Sequence, residues 1–329
     1  MSVPRLAAGL AVAGVGLWYL AAVFVPGEGA AAPPAAFTSS AQCRECHATV
    51  YAEWERSQHA YSWNNPATRF LSNDFANHDC IDCHASRPVF VTGIGERVLP
   101  REERRVEGVD CISCHELPDG GMAGTIADPR AACRPVERIE LVRPEFCAGC
   151  HNQHKTVDQW RESAWPARGM DCLACHMPFR GGDPNAGRDH TFLGGNDLAM
   201  LRRAVTLAGR REGETWVAEI ENVGAGHAFP TDERSRTADL FWRPLPAAGA
   251  EPGPWRFLHR IRDPYRTETD LPITLLYSGE RRPLPIADPE ARGAIEVALF
   301  YKRSPYWEDP SAPDPEREAI LVHRIRLEP

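Results

Sequence analysis

The chain has 329 residues, 43% of them hydrophobic, and carries 37 Lys and Arg against 45 Asp and Glu for a formal charge of −8. That composition excludes disorder throughout and leaves room for two compact domains, or one domain with appendages. The basic residues form no clustered stripe of the kind that follows a phosphate backbone, which excludes nucleic acid as a partner.

Residues Leu6 to Val25 run for 20 positions without a charge behind Arg5, long enough to cross a bilayer as a helix. The span 1–25 therefore reads as a signal peptide or a signal-anchor. The run is longer than an ordinary cleavable apolar region, and Pro33 directly follows the small residues Ala30–Ala32, so the preferred reading is a retained anchor in the inner membrane with the rest of the chain in the periplasm. An extracellular location is the other destination of an exported chain. The Ala/Pro-rich stretch within 26–40 reads as a linker.

Ten of the 11 cysteines fall into five Cys-x-x-Cys-His motifs: Cys43/Cys46/His47, Cys80/Cys83/His84, Cys111/Cys114/His115, Cys147/Cys150/His151 and Cys172/Cys175/His176. This is the string of c-type haem attachment. Two thiols at that spacing bond the vinyl-derived carbons on one porphyrin edge, and the adjacent histidine reaches the iron from one face, so five c-type haems are expected. Zinc ribbons use paired Cys-x-x-Cys but require no histidine after each second cysteine. Disulfides within each pair suit an exported protein, yet would leave five redox-active bridges with no thioredoxin-like context. Cys133 is left over and reads as a small buried side chain or a free thiol.

Of the 12 histidines, five are proximal in the motifs, which leaves seven for the sixth coordination positions. Five of those, His59, His78, His154, His190 and His227, lie in or beside the motif-bearing stretch, enough to make every iron bis-histidine. Such an iron suits electron transfer because nothing has to dissociate. The segment from Cys46 to Ala60 lacks Gly and Pro and is expected to be helical, which puts His59 about 18 Å along the axis from His47 and assigns it to a different haem. His154, three residues after His151, is expected beside it on one helix face, and so on a second haem. For His78 and His154 the competing reading is a surface histidine bonded to a propionate. His259 and His323 alternate onto the apolar faces of strand-like segments and read as core or interface histidines.

Residues 41–196 hold all five motifs and are expected to form a pentahaem domain of short helices and loops, with haem supplying the buried apolar surface and folding dependent on it. His47 is followed by Trp54-Glu-Arg-Ser57 and His151 by Trp160-Arg-Glu-Ser163, while Asp precedes the motif at Asp79, Asp110 and Asp171; these echoes point to a duplication. From about Leu201 the texture changes to β-forming runs punctuated by Pro and Gly: Thr215–Glu221, Ala238–Trp242, Trp255–Ile261, Ile273–Tyr277, Ala294–Tyr301 and Ala319–Leu327. Residues 201–329 are therefore expected to form an antiparallel β-sandwich-like domain, giving an α + β chain. The loop Asn222–Thr231 would project His227 from that domain, its glycines allowing close approach to a haem edge; a plain Gly-rich turn is the alternative.

The strings Cys43-x-x-Cys46-His47-x3-Tyr51-x2-Trp54-x2-Ser57-x-His59-Ala60, Cys175-His-Met-Pro178, His190-Thr-Phe-Leu-Gly194 and Gly226-His-Ala-Phe-Pro-Thr231 resemble the cytochrome c-554/c-prime superfamily of multihaem cytochromes. The resemblance implies an exported electron carrier with closely stacked, mostly bis-histidine haems, and assigns the distal role to His59, His190 and His227. Some relatives assemble into filaments, so self-assembly is compatible with it. The partners implied are redox proteins: a quinol-oxidising complex, or periplasmic and outer-surface cytochromes. The prototype carries one haem fewer, so its ligand scheme cannot be copied whole. The alternative is a multihaem reductase or oxidase of small nitrogen or sulfur compounds at a five-coordinate haem. It lacks the Cys-x-x-Cys-Lys string that pentahaem nitrite reductases use; all five motifs end in His.

Overall fold

The computed structural model describes residues 37–231, 234–246 and 251–329. The apolar run 6–25 lies outside the described residues, and within them no helix is long and apolar enough to cross a membrane.

Up to Ala204 the chain is a succession of short helices and turns. A 3-10 turn over Ser40–Glu45 leads into helices Ala48–Glu55, Gln58–Tyr61, Pro66–Leu71, Asp79–His84, Val89–Thr92, Cys111–His115, Pro144–His151, Thr156–Arg161, Cys172–His176 and Leu198–Ala204. Capping residues restart the chain at short intervals: Ser57, Asn65, Asp110, Asp171 and Asp197 each accept a backbone N–H at a new helix start. Helices this short are not stable alone. The apolar cluster here is small, with Phe75, Ile81 and Ala85 packed against Trp63 and Cys80. A short parallel pair, β1 (Met122–Gly124) and β2 (Pro135–Glu137), lies between the third and fourth motifs.

Two helical expectations are corrected. The run 46–60 is not one helix, because Ser57 ends the first piece and caps the next with its side chain, so the axial distance from His47 to His59 does not apply. His154 does not share a helix face with His151: the helix ends at His151, and Lys155 has a left-handed backbone (φ 68°) before the next begins.

The C-terminal region is built of antiparallel sheets. β3 (Val205–Glu212), β4 (Thr215–Asn222) and β7 (Arg281–Ile286) form a three-stranded sheet in the order β3-β4-β7. β5 (Thr237–Pro244), β6 (Arg256–Ile261), β8 (Ile295–Lys302) and β9 (Ile320–Leu327) form a four-stranded one in the order β6-β5-β8-β9. Central strands β5 and β8 are near-continuous apolar runs buried along most of their length. The sheets face one another across a shared core in which Val205 and Ile220 of the first meet Leu240, Ile261, Leu299 and Val322 of the second. Gly209 is required at its place on β3, since a Cβ there would lie 2.5 Å from Leu327 Cδ1.

Five of the six expected runs are strands. Ile273–Tyr277 instead makes only the isolated bridge Phe229↔Leu276. β3 and β7 were not expected; both are edges of their sheet, and β7 carries Pro283 and Pro285, which an edge tolerates because the missing N–H groups can face away from the ladder.

Leu299 is fully buried between the sheets. Leu299→Ala is expected to cost about 2–5 kcal/mol through lost transfer energy and the cavity left behind, read as a lowered denaturation midpoint of the holoprotein.

Candidate haem-binding centre

Four of the five motifs lie in α-helical turns, which puts the two cysteines of each on one helix face with the histidine at the end. The first spans the 3-10 turn and ends with His47 at the start of the next helix. Asp110 and Asp171 cap the third and fifth motif helices, accepting the N–H of Ser113 (2.7 Å) and Ala174 (2.9 Å). Asp79 has another task, an ion pair with Arg97 at 3.4 Å. Cys46 and His47 are exposed, whereas the other attachment cysteines are half-buried. Cys133 is half-buried as well and lies within electrostatic reach of Cys43 and Cys46.

The motifs meet in pairs. The side chains of Cys43 and Cys111 interact directly, as do those of Cys147 and Cys172, so the first cysteines of motifs 1 and 3, and of motifs 4 and 5, are neighbours. Cys114 is within electrostatic reach of Cys147, which joins the two pairs. Burial pushes the Cys114 thiol up to about 12. The two Trp residues of the sequence echo hold each pair in the same way. Trp54 Nε1 donates to Val109 O (2.8 Å) and Trp160 Nε1 to Met170 O (3.0 Å), in each case the carbonyl two residues before the first cysteine of the second motif. Motif 2 is tied to motif 3 by Arg101, a buried guanidinium that donates to Ser86 O and Ser113 Oγ.

The histidines share a pattern. Nδ1 faces a backbone carbonyl in His84 (Ser62 O, 3.1 Å), His115 (Ala123 O, 2.9 Å), His176 (Leu193 O, 2.6 Å), His190 (Arg188 O, 2.9 Å) and His227 (Ala228 O, 2.9 Å). A carbonyl only accepts, so each Nδ1 carries a proton, and when the ring is neutral Nε2 is the basic nitrogen. Burial lowers the pKa of His115 and His190, which favours that neutral ring. His323 and His259 differ: Nε2 of the first faces Val205 O at 2.7 Å and that of the second Arg282 Nη1 at 3.3 Å. Both are half-buried and have their partners within the β region.

Two rings from distant segments lie close to proximal rings. His59 and His151 have ring centres 6.0 Å apart, and His176 and His227 lie 6.2 Å apart with planes 14° from parallel. Two imidazoles bonded to one metal at about 2 Å each, the usual metal–imidazole length, have ring centres roughly 6 Å apart. His190 lies within electrostatic reach of His115. Imidazole pairs at that ring-centre spacing are a donor set that fits haem iron. His78 is exposed at the start of its own motif helix. His154 has a buried Nδ1 with no hydrogen-bond partner, in a small cavity lined by Thr231, Arg234 and Asp263.

Residues 42–116, which contain the first three motifs, match the family described as cytochrome c554 and c-prime. The chain is a multihaem c-type cytochrome. No curated protein matches the cytochrome in sequence. Its fold is similar to the crystal structure of a penta-heme cytochrome c552 from Thermochromatium tepidum, with a TM-score of 0.61 and 19% identity over 88% of this chain and 98% of that one. The count of five c-type haems agrees with that penta-heme neighbour. A superoxide reductase in the oxidised state is also matched over 38% of this chain and 88% of its own, at 9% identity and a TM-score of 0.19.

Sequence reasoning missed the supports of this cytochrome's loop 222–231. The buried Asn222 side chain donates to His227 O (2.9 Å) and Leu276 O (3.1 Å) and accepts from Ala225 N (3.0 Å). The glycines serve protein contacts: a Cβ at Gly224 would lie 2.0 Å from Arg203 O, and one at Gly226 would lie 3.1–3.4 Å from the rings of Trp160 and Trp165. Asn222→Ala would leave buried groups unpaired and is expected to cost about 1–3 kcal/mol, measured as a lowered unfolding midpoint.

Proposed function

We propose that the chain transfers electrons outside the cytoplasm through five c-type haems held mostly between pairs of histidines. On this reading Cys43, Cys46, Cys80, Cys83, Cys111, Cys114, Cys147, Cys150, Cys172 and Cys175 form the thioethers, and His47, His84, His115, His151 and His176 are the proximal ligands. His59 is the distal ligand for motif 4, His190 for motif 3 and His227 for motif 5. The observation that carries it is the ring-centre spacing of two imidazole pairs, His59 with His151 and His176 with His227, at 6.0 and 6.2 Å.

Haem supplies an iron that gains and loses one electron, and the residues supply everything else the transfer needs. Two strong imidazole donors keep the coordination the same in both oxidation states, so little has to reorganise. Carbonyls at 123, 188, 193 and 228 fix the rings, as outer-shell partners of metal-bound histidines do. The contacts between motifs 1 and 3, 3 and 4, and 4 and 5 support a continuous run of cofactors. The exposure of Cys46 and His47 supports motif 1 as the end at which a redox protein docks. His227 belongs to the β region, so on this reading one iron bonds both halves of the chain. The apolar run 6–25 supports export, with retention at the inner membrane the preferred topology.

His59→Ala and His227→Ala test the assignment. In each, electron paramagnetic resonance of the oxidised protein is expected to show one haem moving from low to high spin while the haem count stays at five. Unchanged spectra in both would contradict it. A wild-type high-spin haem that responds to nitrite or hydroxylamine would favour the reductase instead.

A further inference from the structure

The duplication seen in the sequence extends to a pair of residues that it did not single out. Alignment on Trp-x-x-Ser places Glu53 and Gln159 at equivalent positions, each immediately before its Trp. The flanking contacts repeat: the indole of each Trp reaches the carbonyl two residues before the first cysteine of the partner motif. Ser57 Oγ accepts Ala60 N (3.2 Å), and Ser163 Oγ accepts Trp165 N (3.2 Å).

Glu53 is buried, and its carboxylate accepts the backbone N–H of His190 at 3.0 Å, besides two 2.6 Å bonds from Arg180. Gln159 Oε1 accepts the backbone N–H of Ala228 at 3.1 Å and the Thr231 hydroxyl at 3.1 Å. Ala228 is the residue whose carbonyl takes the Nδ1 proton of His227. In both copies, then, the residue before the Trp holds the main chain at, or next to, a histidine that arrives from far along the sequence. His227 has its ring centre 6.2 Å from that of His176, in the second motif of its copy, and His190 lies within electrostatic reach of His115, in the second motif of the other.

We propose that Glu53 and Gln159 are equivalent positioning residues, each latching the segment that carries the distal histidine to the second haem of its copy. This rests on the ligand assignment above. A backbone N–H held by a side-chain oxygen fixes where the Cα of the histidine sits, and the Nδ1 bond then fixes the ring, so that Nε2 has one place to point. Gln159 does this as a neutral amide. The shared element is therefore the acceptor oxygen and not the charge, and the ion pair of Glu53 with Arg180 is an addition in the first copy.

The test compares Glu53→Ala, Glu53→Gln, Gln159→Ala and Gln159→Glu as oxidised holoproteins, with spin state read by electron paramagnetic resonance and haem counted per chain. The two Ala variants are each expected to move a fraction, up to one haem in five, from low to high spin at an unchanged count, and added imidazole is expected to restore low spin. Glu53→Gln and Gln159→Glu keep the acceptor and are expected to match the wild type. If Glu53→Gln changes the spectrum as much as Glu53→Ala, the ion pair is what matters and the proposal is overturned. It is equally overturned if both Ala variants keep the wild-type spectrum. His190→Ala and His227→Ala in the same series separate the causes. If they raise the high-spin signal and the latch variants do not, the latch alone fails; if they too leave it unchanged, the ligand assignment fails with it. Should Glu53→Ala yield no holoprotein, Gln159→Ala, which loses no ion pair, decides the question.

Discussion

Much of the proposed centre depends on one kind of hydrogen bond, from the Nδ1 of an imidazole to a backbone carbonyl. It settles the tautomer, aims the ring and leaves Nε2 as the basic nitrogen, all before any metal is considered. Five histidines have it, and the carbonyls come from separate stretches of chain: Ser62, Ala123, Arg188, Leu193 and Ala228. Much of the local structure serves to place these carbonyls. β1 contains Ala123, and Asn222 folds the loop that holds Ala228.

The two halves of the chain are stabilised by different means. The β region has a conventional core between two antiparallel sheets, with Leu240, Ile261, Leu276 and Leu299 fully buried. Up to Ala204 the helices are too short to persist alone, and the apolar clusters are small, so side chains bonded to distant backbone hold the segments: Trp54 to Val109, Trp160 to Met170, Arg101 to Ser86 and Gly108. On the proposed reading such a framework orders the ligands without filling a core, and porphyrin faces would supply the apolar surface. Covalent attachment suits this arrangement, because a tethered cofactor does not need a deep pocket to stay bound.

The legible parts of the sequence were those in which chemistry imposes a fixed local spacing. The five motifs, the Trp-x-x-Ser echo and the aspartates before motifs 2, 3 and 5 all fall in this class. Five strand-like runs could be read because they are rich in β-forming residues and bounded by Pro and Gly. β7 could not, since Pro283 and Pro285 argue against a strand until its place at a sheet edge is known. The helix assumed across 46–60 failed because the capping bond of Ser57 outweighs the absence of Gly and Pro. Glu53, Arg101, Gln159 and Asn222 were invisible for another reason. Each acts on backbone far along the chain or on a loop whose shape only the fold reveals, and nothing local marks such a residue, although the shared position of Glu53 and Gln159 before Trp was a signal open to a closer alignment of the two copies.

The most direct test of the account is a crystal structure of the holoprotein with iron located by its anomalous scattering. The account predicts one iron between the rings of His59 and His151 and another between those of His176 and His227, the second bonding the β region to the rest of the chain. Irons bound to His151 and His176 with His59 and His227 turned away from them would contradict it.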